Sequence, residues 1–221
     1  MACLVDLVNS VTWTYELLKN SFGVWRRLIL TGSPSVRDAT TRDVEPTVTL
    51  NSLTLRDTLC LSDVGGGIGR VSKHLLLPMF GRVDILESNQ GYLEESKEYI
   101  GDPRLERRIC AGMEDFSPET GRYSLIWIQW CIIYLTDADL VRFFKSCTAA
   151  VKPGGFVILK DNVCNTGFVV DKEDSSVTRS EKYLTELFAE AGVEVVTSRL
   201  QGDFPEHLFP VKMFALRAKG P

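Results

Sequence analysis

The sequence predicts a three-layer α/β fold, a Rossmann-like sheet of seven strands covered by helices and preceded by a helical extension. Three observations carry that expectation. Four glycines fall within residues 65–69, between an apolar run (Leu59 to Val64) and a segment with helical spacing (Ile68 to Phe80). The run Tyr123-Ser124-Leu125-Ile126-Trp127-Ile128-Gln129-Trp130 has the near-continuous apolar character of a central strand buried on both faces. Strand-like and helix-like stretches alternate on either side of it, the pattern of a parallel sheet with helices on both faces.

Taken in order, residues 1–30 place Trp13, Tyr15, Leu17, Leu18, Phe22, Trp25 and Leu28 at spacings that fit one or two amphipathic helices. Such helices could cover a ligand or pack on the edge of the core. Thr31 to Thr58 is polar and reads as a loop, so the expected division is an extension over 1–58 and a main domain over 59–221. After the glycines, a helix over Val71 to Phe80 buries Val71, Leu75, Leu76 and Met79, and Pro78 helps to end it. A strand over Val83 to Leu86 follows, then a helix over Tyr92 to Ile100 and a short strand over Arg108 to Ala111. Thr136 is set to cap a helix running to about Val151, which Pro153-Gly154-Gly155 ends before a strand at Phe156 to Lys160. An acidic, hydroxyl-rich loop (Asp171 to Ser176) precedes a helix at Arg179 to Ala191. Two strands, Val193 to Thr197 and Phe209 to Leu216, close the chain around a Gly202-Asp203-Phe204-Pro205 turn.

At 221 residues the chain holds one sizeable α/β domain. A formal charge of −4 argues against a general nucleic-acid binder and favours a cationic substrate. The six cysteines lie in apolar segments with no Cys-x-x-Cys pair, so they read as reduced core residues, without metal or disulfide framework. No stretch approaches the roughly 20 apolar residues of a membrane span, and the first residues lack a basic, then apolar leader. A cytoplasmic location, with the nucleus as a second one, is the expectation.

The glycine turn is where chemistry enters. Glycine lets a ligand approach the backbone, and the free N–H groups opening the next helix favour polar or negative groups. A dinucleotide site wants Gly-x-Gly-x-x-Gly, but counting from Gly65 and Gly67 puts Arg70 at the third glycine. The pattern Asp63-x-Gly65-x-Gly67-x-Gly69 instead resembles the first motif of class I S-adenosylmethionine (SAM) methyltransferases; NAD and a purely structural turn are the alternatives. Glu87 lies about 20 positions on, at a strand end where a carboxylate grips ribose hydroxyls. Gln129 stands at a strand's carboxyl end, where open α/β sheets bind ligands.

Further motifs narrow the resemblance: Trp127-Ile128-Gln129-Trp130, Leu135-Thr136-Asp137, Lys160-Asp161-Asn162, Asp174-Ser175-Ser176 and Met213-Phe214-Ala215-Leu216-Arg217. Together with the glycine loop they are similar to the eukaryotic protein α-N-terminal methyltransferases, over about residues 59–217. That resemblance implies methyl transfer from SAM to the α-amine of proteins beginning Xaa-Pro-Lys or Xaa-Pro-Arg. It also implies the last strand inserted antiparallel. It gives Asp63, Gly65, Gly67, Arg70, Glu87, Met113, Glu114 and Gln129 to the cofactor, with Arg70 on the methionine carboxylate. Asn162 and Asp174 would hold the α-amine as catalytic residues, Trp130 would wall the proline site, and Tyr134 would line it. Asp171, Asp174 and Ser176 would receive the third-position cation. No metal is implied, and a monomer acting on protein N-termini, without membrane or nucleic-acid partners, is expected. Three departures from the family pattern stand out. Tyr134 replaces a histidine, Phe209 replaces a frequent tyrosine, and residues 23–28 lack the usual Gly-rich turn. A small-molecule methyltransferase and a non-catalytic SAM-fold binding protein are the competing functions.

Overall fold

Seven strands make one mixed sheet in the computed structural model, which describes residues 59–202 and 207–220. The expected extension over 1–58 and the Asp203-Phe204-Pro205 part of the final turn lie outside the described residues. The strands are β1 (Cys60–Val64), β2 (Arg82–Glu87), β3 (Leu105–Cys110), β4 (Tyr123–Gln129), β5 (Val151–Asn162), β8 (Val193–Leu200) and β9 (Val211–Ala218). Their order is β3-β2-β1-β4-β5-β9-β8. The first five are parallel, and β9 inserts antiparallel between β5 and β8. The parallel order reverses direction at β1 and β4, so the carboxyl ends of these two strands open the crevice where ligands bind in such sheets.

Strand β4 is central because both of its faces are apolar. Ile126, Trp127 and Ile128 are fully buried. Helix α1 covers 72–79 and is not the regular helix that the spacing predicts. Ser72–Leu76 form a π-helical turn, closed by the Leu77 N–H on the Ser72 carbonyl, before α-helical Leu77–Met79. The wider turn shifts the helical phase. Leu75, Leu76 and Leu77 are buried, whereas Val71 and Met79 are only partly so. Helix α2 (Gln90–Ile100) starts earlier than expected, because the Asn89 side chain caps it by accepting from the N–H groups of Gly91 and Tyr92. Helix α3 (Asp137–Ala150) has the expected Thr136 cap. Pro153 and the two glycines after it do not end that helix: β5 already begins at Val151, and its pairing with β4 jumps from Tyr123–Val151 to Leu125–Phe156, a bulge that accommodates them.

The acidic stretch is a loop as expected, residues 172–175 forming the turn of a β-hairpin whose two short strands the sequence did not show. β6 (Phe168–Asp171) pairs antiparallel with β7 (Ser176–Arg179), with Ser175 at φ +58° in the turn. Helix α4 (Glu181–Glu190) therefore starts two residues later than expected, capped by Ser180. The rings of Phe144, Phe188 and Phe214 lock α3, α4 and β9 together, with centroids 5.0 and 5.8 Å apart. Cys60, Cys131, Cys147 and Cys164 are buried and free as expected, but Cys110, at the end of β3, is exposed.

Candidate active site

Parallel strands put all their carboxyl ends on one edge, and most of the candidate residues gather there. The turn after β1 is bound to β2: the N–H groups of Gly65 and Gly66 both donate to the Leu86 carbonyl, at 2.9 and 3.1 Å. Gly65 has φ +65°, and a Cβ on it would lie 2.8 Å from the Cβ of Cys131. Gly67, at φ +55°, has open space where its side chain would be. Its N–H donates to Glu87 Oε2 at 2.9 Å, while Asn89 N–H donates to Oε1 at 2.9 Å. The Glu87 carboxylate is thus oriented by backbone on both oxygens and remains partly open to solvent.

Asp63 sits elsewhere than a ligand contact would require. It is buried behind the turn, where Ser72 Oγ donates to it at 2.6 Å, and burial pushes its carboxyl up to about 7 against that hydrogen bond. It braces β1 against α1. Arg70 is exposed at the head of that helix. On the far side of the edge, past β3, Met113 packs partly against the core and Glu114 is exposed. Gln129 ends β4 half-buried, its Oε1 accepting from Trp127 Nε1 at 3.3 Å.

The wall of the second half of the crevice comes from β4 and β5. Trp130 takes a left-handed φ of +52°, rare for a bulky residue, and is held there by its N–H on the Lys160 carbonyl at 3.0 Å. The buried Lys160 ammonium lies 5.4 Å from its ring centre. Tyr134, exposed, follows in a short 3-10 turn (Ile132–Tyr134). Its hydroxyl is pushed above the usual phenol range by partial burial, with the charges of Asp174 and Asp161 adding to it. Strand β7 of the hairpin packs against this turn. Asn162 closes β5, half-buried, with its N–H on Asp161 Oδ1 at 2.8 Å. In the hairpin, Asp171 and Asp174 are exposed, and Asp171 Oδ1 accepts the Glu173 N–H at 2.8 Å. Ser176 is paired opposite Asp171 but buried.

Asp161 and Arg179 are site residues that the sequence did not single out for a role. Asp161 is fully buried between the ends of β4 and β5; burial pushes its carboxyl up to about 7, opposed by the backbone N–H groups of Asn162, Ile132 and Cys131. Its position after an apolar strand was the available signal. Arg179 had none, because the partners that tie it to the rest of the domain, Asp137 and Leu135, lie more than 40 residues away.

Residues 42–217 match the family described as AdoMet dependent proline di-methyltransferase. The alpha N-terminal protein methyltransferase 1 of Arabidopsis thaliana is 40% identical over 177 residues, which cover 78% of this chain and 64% of that one. The chain therefore spans less than two thirds of the plant relative's length. The N-terminal Xaa-Pro-Lys N-methyltransferase 1 of Danio rerio is 42% identical over 160 residues, 72% of each chain. Among solved structures, a SAM-dependent methyltransferase from Leishmania major superposes with a TM-score of 0.70 at 44% identity, over 75% of this chain and 67% of that one.

Proposed function

Because the chain belongs to the AdoMet dependent proline di-methyltransferase family, we propose that it methylates the α-amine of proteins whose exposed terminus reads Xaa-Pro-Lys or Xaa-Pro-Arg, with SAM as donor. The observation that supports this reading is the pair of exposed carboxylates, Asp171 and Asp174, on a separate two-stranded hairpin whose strand β7 packs against the turn that holds Tyr134. A neutral metabolite would need no such pair.

The residues on the sheet's carboxyl edge fit the cofactor. The open side of Gly67 leaves room for it to lie against the backbone, and Glu87 offers a pre-oriented carboxylate for the ribose hydroxyls. Met113 gives the adenine an apolar face and Glu114 a polar edge, while Arg70 meets the methionine carboxylate. When bound, SAM supplies an electrophilic methyl on a positively charged sulfur.

Everything else falls to the protein. An in-line displacement needs a neutral amine held close to the methyl, and little covalent help. An α-amine has a pKa of about 8, so a useful fraction is neutral near pH 7. Asn162 and Asp174 hold it, and Asp174 or water takes the proton released as the N–C bond forms. Tyr134 stays protonated there, so it donates a hydrogen bond and does not act as the base. Trp130, fixed in its unusual backbone conformation, walls the proline. Asp171 and Asp174 pair with the third-position cation, and the buried Ser176 supports their turn from behind.

Incubation with methyl-labelled SAM and an Xaa-Pro-Lys peptide, its terminus free or acetylated, tests the proposal. Label in the free peptide alone is expected. Equal labelling of both would move the reaction to the lysine side chain and overturn it.

A further inference from the structure

The hairpin that carries Asp171 and Asp174 packs on the domain along β7, where Ser176 and Thr178 are buried, and a buried cation sits at its open end, the joint to α4. Arg179, the last residue of β7, is 3% exposed. Its Nε donates to Asp137 Oδ1 at 2.7 Å, and its Nη2 donates to the Leu135 carbonyl, also at 2.7 Å. The Tyr183 hydroxyl donates to the other oxygen of Asp137. Burial works against the Asp137 charge, yet these hydrogen bonds hold its carboxyl below the usual range. Leu135 directly follows Tyr134, and Asp137 opens α3.

A guanidinium fork engaged by two acceptors on one turn fixes an angle as well as a distance. The angle matters because the turn holding Asp174 lies four residues beyond the joint. At about 3.3 Å per residue the lever is roughly 13 Å long, so a tilt of about 10° at Arg179 moves the far end by roughly 2 Å. Misplacing a reacting or orienting group by about 1 Å can cost 100-fold in rate. We propose that Arg179 is a positioning residue for methyl transfer, which fixes the hairpin against the Tyr134 turn and thereby places Asp174 at the incoming amine. The inference rests on the reading of Asp174 given above.

A plain structural pillar would lower stability and cost the same factor whatever residue stands at 174. A double-mutant cycle separates the two roles. Steady-state kinetics on the full chain would use SAM and an Xaa-Pro-Lys peptide, with Arg179→Lys, Asp174→Asn and the double variant. Lysine keeps the charge but cannot engage both acceptors as a fork. Arg179→Lys should lower kcat/KM at least tenfold in the parent and no more than twofold in the Asp174→Asn background, with SAM affinity within twofold throughout. Equal losses in both backgrounds would overturn the positioning role. If Asp174→Asn alone leaves kcat/KM unchanged, the proposed function of the hairpin fails first and the inference falls with it. Should Arg179→Lys not fold, Tyr183→Phe removes only one hydrogen bond from Asp137. It should cost about threefold in the parent and nothing beside Asp174→Asn; no loss in the parent would again overturn the role.

Discussion

Alanine at Gly67 and alanine at Gly65 should fail in different ways, although the two positions look alike in the sequence. Both residues have positive φ, so a Cβ costs roughly 1–2 kcal/mol at either site. At Gly67 nothing lies within 4 Å of the added carbon, and that cost is all the fold should feel. At Gly65 the carbon would sit 2.8 Å from Cys131 Cβ and 2.9 Å from its Sγ, and overpacking of this kind adds about 1–3 kcal/mol. For a domain of this size 1 kcal/mol is worth about 2–4 °C in Tm. Gly67→Ala should therefore melt only a few degrees low, and Gly65→Ala roughly 5–15 °C low. Calorimetry with SAM should show the opposite ranking per degree lost: with the cofactor against the turn as proposed, the Gly67→Ala methyl would meet it and should weaken binding at least tenfold while the fold is nearly intact. Near-normal SAM affinity in Gly67→Ala would remove the open face of the turn from the cofactor site. Equal melting temperatures would refute the steric account of Gly65.

Two other expectations concern stability. Asp63 and Asp161 keep their protons in the folded chain up to about pH 7, whereas an unfolded aspartate ionises near 3.9. Between roughly pH 4 and 7 the folded state binds more protons, so unfolding free energy should fall as pH rises through that window, by at most about 4 kcal/mol per group. Urea unfolding of the cofactor-free protein at pH 5 and 8 measures it, and Asp161→Asn should flatten the profile; a parent protein more stable at pH 8 would contradict the burial argument. Far from the crevice, the fully buried Asp84 takes two hydrogen bonds from Arg122 and one from the Tyr123 hydroxyl. Arg122→Leu strands that charge and should cost about 3–5 kcal/mol in chemical denaturation, with peptide KM unchanged in whatever remains folded; a loss under about 1 kcal/mol would mean the pair is effectively solvated.

What the sequence made legible were the elements with strong local signals. The glycine turn, the doubly apolar β4 and the capped α3 each carry their pattern within about ten residues, and the structure has them where the pattern puts them. The hairpin was missed because its strands are four residues long, too short for alternation to rise above a polar loop, and Phe168 to Asp171 are all exposed. Pro153 misled for a related reason: a β-bulge accommodates the same residues that commonly end a helix. That Glu87 meets the glycine turn was legible from its spacing to the glycines, and its bond to Gly67 N–H gives that spacing a physical cause. The burial of Asp63 and Ser176 was not legible, since residue type and spacing do not tell which face of a turn is covered. Arg179 and Asp161 act through tertiary contacts between segments that the sequence leaves far apart.

The measurement that bears most directly on the proposed function is the third-position preference in peptide methylation. It compares kcat/KM for an Xaa-Pro-Lys peptide with that for the same peptide carrying glutamine, in the parent and in the Asp171→Asn, Asp174→Asn double variant. A desolvated charge pair is worth about 2–5 kcal/mol and an exposed one under about 1. The parent should therefore favour lysine more than tenfold, and the double variant should lose that preference with SAM affinity unchanged. A parent indifferent to the third residue, or a preference that survives in the double variant, would contradict the assignment of the acidic hairpin to the substrate.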